Sequence, residues 1–127
     1  MCIRDRQFIE DLLRRLADLG SPKVVLTGVS FEEGRLGAAA YDADQNAFSY
    51  SFCDRVDGYF HGTGDVFGSA LLAATMSGKT LNEAVQIAVD YTHRCICLTV
   101  EAGQELRYGV CFERALPYLI QRLGLDK

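Results

Sequence analysis

His61-Gly62-Thr63-Gly64-Asp65-Val66-Phe67 is the stretch on which the reading of this chain turns. Two glycines flank a threonine, and an aspartate stands where a helix is expected, over Asp65–Ser77, rich in small residues (Gly68, Ser69, Ala70, Ala73, Ala74). Backbone N–H groups at a helix N-terminus make a ready anion site, and glycines let an anion approach the main chain. The aspartate has two available roles. As an N-cap or first-turn residue it only satisfies orphan N–H groups. As a general base it accepts a proton from a hydroxyl beside a bound phosphate. On these residues alone the capping role leads, because many helices open with Gly-Asp.

Upstream of that stretch, Phe8, Ile9, Leu12, Leu13, Leu16 and Leu19 recur at three and four, the spacing of an amphipathic helix stopped by Gly20. Lys23–Thr27 is a short apolar run with two valines and reads as a buried strand, with Gly28 as the following turn. Arg35–Tyr41 and Ala47–Cys53 are two further strands, and Asp42–Asn46 between them has the composition of a hairpin turn. Phe48, Tyr50 and Phe52 fall on one face of the last strand, Ser49 and Ser51 on the other. Arg55–Gly64 reads as a loop.

Downstream, Gly78 ends the small-residue helix. Thr80-Leu81-Asn82-Glu83 fits a capping box that opens a long helix to about Val100, with a broad apolar face. Glu101–Gly109 is polar. A final helix is expected over Phe112–Leu123, with Pro117 near its start and Gly124 as its stop. Strands come first and helices after, so the class is α/β.

Composition narrows the function. Of 127 residues, 49% are hydrophobic and 24% charged, an ordinary globular balance. The net charge of −4 and the lack of any basic stripe argue against a nucleic-acid surface. No apolar run is long enough for a membrane span. The first six residues, Met1–Arg6, carry no secretory pattern and read as foreign to the domain or as a truncated frame. The five cysteines (Cys2, Cys53, Cys95, Cys97, Cys111) form no CxxC pair and read as reduced thiols of a cytoplasmic protein; no metal ligand is assigned.

Gly62-Thr63-Gly64-Asp65, followed by a hydrophobic-aromatic pair and a small-residue helix, resembles the signature of ribokinase-like (PfkB) kinases. Val24-Val25-Leu26-Thr27-Gly28-Val29 resembles the strand of that family whose terminal threonine and turn reach nucleotide phosphates. The resemblance runs from about Phe8 to Gly124 and implies the C-terminal part of a three-layer α/β fold, the whole chain being a single partial domain. It implies an anion hole of Gly62, Thr63 and Gly64, Asp65 as catalytic base, and nucleotide contacts from Thr27, Gly28, Arg55 and Thr63. ATP and Mg²⁺ are the implied cofactors, and a homodimer is compatible with the family. Threonine between the glycines, with aspartate retained, is similar to pyridoxal and pyridoxamine kinases, as is the tail Arg107–Glu113 and Ala115–Leu119. The implied substrate is a B6 vitamer, with hydroxymethylpyrimidine or a sugar, or a non-catalytic nucleotide-binding role, as alternatives.

The family's long N-terminal part has no counterpart in this chain, so Lys23–Thr27 is expected to lack a neighbouring strand, and the chain alone is expected to be inactive. His61 reads as a loop histidine, His93 and Cys97 as one helix face without a metal, and the Phe48/Tyr50/Phe52 stripe as a packing face. Asp54 and Asp57 read either as nucleotide-lining or as solvated charges.

Overall fold

The structure, a computed structural model, describes residues 5–56, 62–101, 103 and 112–125. It divides into two compact units, Met1–Arg55 and Val56–Lys127.

The first unit is one helix on a three-stranded sheet. Helix α1 (Arg6–Asp18) is capped by Asp5, whose carboxylate accepts from the Phe8 N–H at 3.2 Å. Asp5 and Arg6, counted above with the terminal residues, thus take part in the fold. Strands β1 (Lys23–Val29), β2 (Arg35–Asp42) and β3 (Ala47–Asp54) are antiparallel in the order β1-β2-β3. The expected hairpin joins β2 to β3, with Asp42 opposite Ala47 and Arg35 opposite Asp54. Among the described residues β1 pairs with β2 alone, so its outer edge is unpaired.

The core of this unit follows from alternation. Ile9 and Leu13, one turn apart on α1, are fully buried against Val29, Ala39 and Tyr41, with Val24, Leu26, Phe48, Tyr50 and Phe52 packed around them. Burying two such aliphatic side chains stabilises the unit by about 1.5–3 kcal/mol each. The aromatic stripe of β3 is therefore a packing face, as expected. Phe31 meets Tyr50 edge-on at 5.4 Å, Tyr41 stacks on Phe48 at 4.5 Å, and Arg6 lies over both Phe31 and Tyr50. The Tyr50 hydroxyl donates to Glu10 at 2.5 Å, and burial together with that carboxylate pushes its pKa up to about 12.

Gly28 is not the turn expected of it. The strand continues to Val29, and the register slips between Thr27, opposite Ala38, and Val29, opposite Gly37. Gly28 is the extra residue of a β-bulge, with φ 74°, a left-handed conformation that glycine adopts without a Cβ clash. Asp54 likewise belongs to β3, not to a loop, and pairs with Arg35 at 2.8 Å.

The second unit is helical. Helix α2 (Thr63–Met76) begins two residues before the expected start, and α3 (Leu81–Glu101) packs against it through alanines. Ala70, Ala74, Ala84 and Ala88 are buried with Ile87, Tyr91 and Cys95, and small side chains bring the two helices close. The Thr80–Glu83 capping box is formed. The Glu83 N–H donates to Thr80 Oγ1 at 3.2 Å, and the Thr80 N–H donates to Glu83 Oε1 at 3.2 Å. The threonine's hydrogen bonds hold the Glu83 carboxyl below the usual carboxylate range.

The final helix divides into a 3₁₀ turn (Glu113–Ala115) and α4 (Leu116–Arg122), since Pro117 has no N–H to continue an α-helical ladder from Glu113. Leu119 and Leu123 join the α2–α3 core. The Tyr91 hydroxyl donates to the Phe112 carbonyl at 3.0 Å, and burial raises its pKa.

Candidate active site

The N-terminus of α2 is built from glycine outward. Gly62 is the N-cap in the left-handed region, at φ 83°, where a Cβ is strained. Val66 donates to the Gly62 carbonyl at 3.0 Å, the first bond of the helix. The N–H groups of Thr63, Gly64 and Asp65 precede it and have no intrahelical acceptor. Three consecutive donors at the positive end of a helix dipole are an arrangement that can receive an anion.

Gly64 has an ordinary φ, and a Cβ built on it would meet nothing within 4 Å. Neither backbone conformation nor the chain's own packing requires glycine there. Open space over a bare backbone beside free N–H groups is what an approaching phosphate needs. Gly68, one turn further on, is equally open.

Of the two structural positions considered for Asp65, the N-cap and the first turn, it takes the second. Gly62 holds the N-cap position, and no side chain of a described residue caps the helix. Asp65 is the third helical residue, exposed, and its carboxylate makes no hydrogen bond or ion pair to a described residue. Its remaining structural contribution is the weak favourable field of an acid in the first turn. Thr63 is half-buried at the first helical position.

Thr27, Gly28 and Arg55 lie in the first unit. β1 and β3 run in the same direction, so the bulge at Thr27–Gly28 and Arg55, just past β3, occupy one end of the sheet. Two strand spacings separate them laterally, about 10 Å. Thr27 and Arg55 are exposed, and the Arg55 N–H donates to the Gly34 carbonyl at 2.9 Å. His61, Asp57 and the stretch Arg107–Cys111 lie outside the described residues. Among the described residues no group of three or more His, Cys, Asp or Glu could hold a metal ion.

One feature had no sequence signal. Ser51 is buried, at 2% exposure, and its hydroxyl has no hydrogen-bond partner among the described residues. Ser51 lies opposite Ala38 and Ser49 opposite Ala40, so alternation alone does not distinguish the two serines.

This sheet, with α1 on one face, followed by a small-residue helix opened by Gly-Thr-Gly-Asp, is part of a ribokinase-like α/β kinase fold. The chain belongs to the phosphomethylpyrimidine kinase family, whose model matches residues 1–109. Among curated proteins no sequence matches it. Solved structures share its fold. A protein assigned as a phosphomethylpyrimidine kinase from Bacteroides thetaiotaomicron superposes with a TM-score of 0.84 at 24% identity, over 94% of this chain and 40% of that one. The pyridoxal kinase of Lactobacillus plantarum gives 0.80 at 21% identity, over 89% and 41%. The pyridoxal kinase of Leishmania donovani, in complex with ADP and pyridoxamine, gives 0.77 at 22% identity, over 96% and 42%. The chain thus spans about two-fifths of the length of these proteins.

Proposed function

We propose that this chain is the phosphoryl-transfer part of an ATP-dependent kinase that phosphorylates the hydroxymethyl group of a B6 vitamer. The observation that carries the reading is the α2 N-terminus: three N–H donors without intrahelical acceptors, an open glycine among them, and an aspartate engaged in no cap. In this reading the N–H groups of Thr63, Gly64 and Asp65 take charge developing on the transferred phosphoryl group. Asp65 accepts the proton of the attacking hydroxyl. Thr27, Gly28 and Arg55 are the first unit's nucleotide-binding residues in this reading, and Thr63 is the second unit's, through its hydroxyl. Mg²⁺, if bound with ATP, would neutralise charge on its phosphates.

The B6 vitamer is favoured by the retained Asp65 and by the pyridoxal kinases among the structural neighbours. Hydroxymethylpyrimidine is the second reading, favoured by the name of the matching family. Residues that recognise either ring are assigned to a preceding part of a longer polypeptide, so the chain alone binds nucleotide without transferring phosphate. A cytoplasmic location is part of this proposal; among the described residues no helix is long and apolar enough to cross a membrane.

The test is Asp65→Asn in the full-length kinase, assayed with pyridoxal, pyridoxamine, pyridoxine and hydroxymethylpyrimidine in competition. The expected loss is about 10²–10⁴ in turnover, or about 3–5 kcal/mol of barrier. Turnover near that of the unmodified enzyme removes Asp65 from the base role. Preferential use of the pyrimidine replaces the vitamer reading with the second one.

A further inference from the structure

Between α3 and α4 lies a second cluster of reactive groups, on the second unit and apart from the α2 N-terminus. A cleft of about 300 Å³ is lined by Asp90, His93, Arg94, Cys97 and Tyr118. Their spacing along α3 (i, i+3, i+4, i+7) sets the four helix residues on one face. Cys95, two residues from Cys97, is fully buried in the core, whereas Cys97 is only partly buried and opens on the cleft.

Three features distinguish this thiol. Cys97 Sγ lies 3.7 Å from His93 Nε2 and 4.0 Å from Nδ1, so an imidazole is in contact with it. Asp90 does not compete for that imidazole, because it accepts from Arg122 at 2.7 Å and from Gln86 at 2.9 Å. Arg94 lies over the Tyr118 ring at 4.7 Å and has no carboxylate partner among the described residues. Arg122, the other cation here, is spent on Asp90 and on the Tyr118 hydroxyl, which it meets at 2.7 Å. The cleft therefore presents a thiol, an imidazole beside it, and a cation, Arg94, with no carboxylate partner among the described residues.

We propose that this cleft is a thiol-modification site, at which Cys97 undergoes exchange with a small disulfide that carries carboxylates. The thiol proton passes to His93. The thiolate attacks one sulfur of the incoming disulfide, the S–S bond breaks, and the departing thiolate takes a proton back from His93. Cys97 is oxidised to a mixed disulfide, and half of the incoming molecule is reduced to its thiol. Arg94 pairs with a carboxylate of the incoming molecule, which is what favours an anionic disulfide over a neutral one. This inference does not rest on the kinase reading.

The test uses the full chain with Cys2→Ser and Cys111→Ser, leaving Cys53, Cys95 and Cys97. Glutathione disulfide is the anionic probe and bis(2-hydroxyethyl) disulfide the neutral one, and each site is followed by peptide mass mapping in folded and urea-unfolded protein. In the folded protein Cys97 is expected to react at least about tenfold faster than Cys53 or Cys95, with the difference gone in urea. Arg94→Gln is expected to abolish the preference for the anionic probe while leaving the neutral rate unchanged. His93→Gln is expected to shift the pH profile of Cys97 alone; the other groups facing the thiol, Asp90, Arg94, Tyr118 and Arg122, are untouched in that variant. Coincident melting curves of the variants exclude unfolding as the cause. Equal rates at Cys97 in folded and unfolded protein, or equal rates with both probes, overturn the proposal.

Discussion

Gly64→Ala separates what the fold needs from what the proposed anion cradle needs. The added Cβ meets nothing within 4 Å and the residue has an ordinary helical φ, so the folded state accepts it without strain. Replacing a helical glycine by alanine removes unfolded-state freedom and stabilises by about 0.4–1 kcal/mol. For a domain of this size that raises Tm by about 2–4 °C. In the proposed site the same methyl occupies the open space over the backbone that a phosphate oxygen would take. Displacing the phosphoryl group by about 1 Å is enough to cost about 10²-fold in rate. The chain serves for the melting curve and for ATP binding, the full-length kinase for turnover. Gly68→Ala is the control. It is as open as Gly64 but lies four residues along α2, about 6 Å from the cradle, so it should gain the same stability at unchanged turnover. Gly62→Ala runs the other way and should lose about 1–2 kcal/mol, because its φ of 83° is left-handed. If Gly64→Ala melts higher yet turns over within about threefold of the unmodified enzyme, the open space is not a phosphate seat and the argument from it fails.

Two further predictions concern the fold. At Gly37→Ala the new Cβ would fall 1.8 Å from the Ser51 carbonyl oxygen, so β2 and β3 must shift, at a cost of about 1–3 kcal/mol that urea denaturation would read; an unchanged midpoint would contradict that close approach. Alkaline pH should weaken the protein through its tyrosines. Tyr50 is held to about 12 in the folded chain, and Tyr91 is raised by burial, whereas unfolded tyrosines release their protons near pH 10. The folded state then binds more protons than the unfolded state above that pH, so stability is intact below about pH 10 and declines towards pH 12. Denaturation midpoints on either side of pH 10 measure this, and Tyr50→Phe should make the decline shallower.

Local pattern carried much of this structure. The α1 spacing predicted an amphipathic helix with an apolar face of Phe8, Ile9, Leu12, Leu13, Leu16 and Leu19, of which Ile9 and Leu13 are fully buried while Phe8 and Leu19 are exposed; the turn composition at Asp42–Asn46 predicted the hairpin, and Thr80 with Glu83 predicted a formed capping box. Each depends on residues within one turn or one strand pair. Gly62-Thr63-Gly64-Asp65 was legible as a helix start for the same reason, although whether Asp65 caps the helix was not, because that depends on where the first intrahelical bond forms. The position of Gly28 was not legible either. A glycine after an apolar run suits a turn and a bulge equally, and only the pairing with Ala38 and Gly37 distinguishes them. The α3–α4 cleft was least legible, since Asp90 meets Arg122 across 32 residues of chain. His93 and Cys97 were seen to share a helix face, but the placing of Arg94 over Tyr118 beside them is a product of tertiary packing.

The bulge at Gly28 has a consequence for deletion. Val24 and Leu26 face α1, and strict alternation would next place residue 28 there, yet it is Val29 that enters that core. The glycine is one residue more than the hydrophobic pattern requires, and the bulge absorbs it. A chain lacking Gly28 would bring the same valine to the same core by simple alternation, with a straighter strand end behind Thr27. The interior can therefore be preserved while the rim is altered, and the length of β1, rather than the identity of any side chain in it, sets the direction in which the chain leaves the sheet.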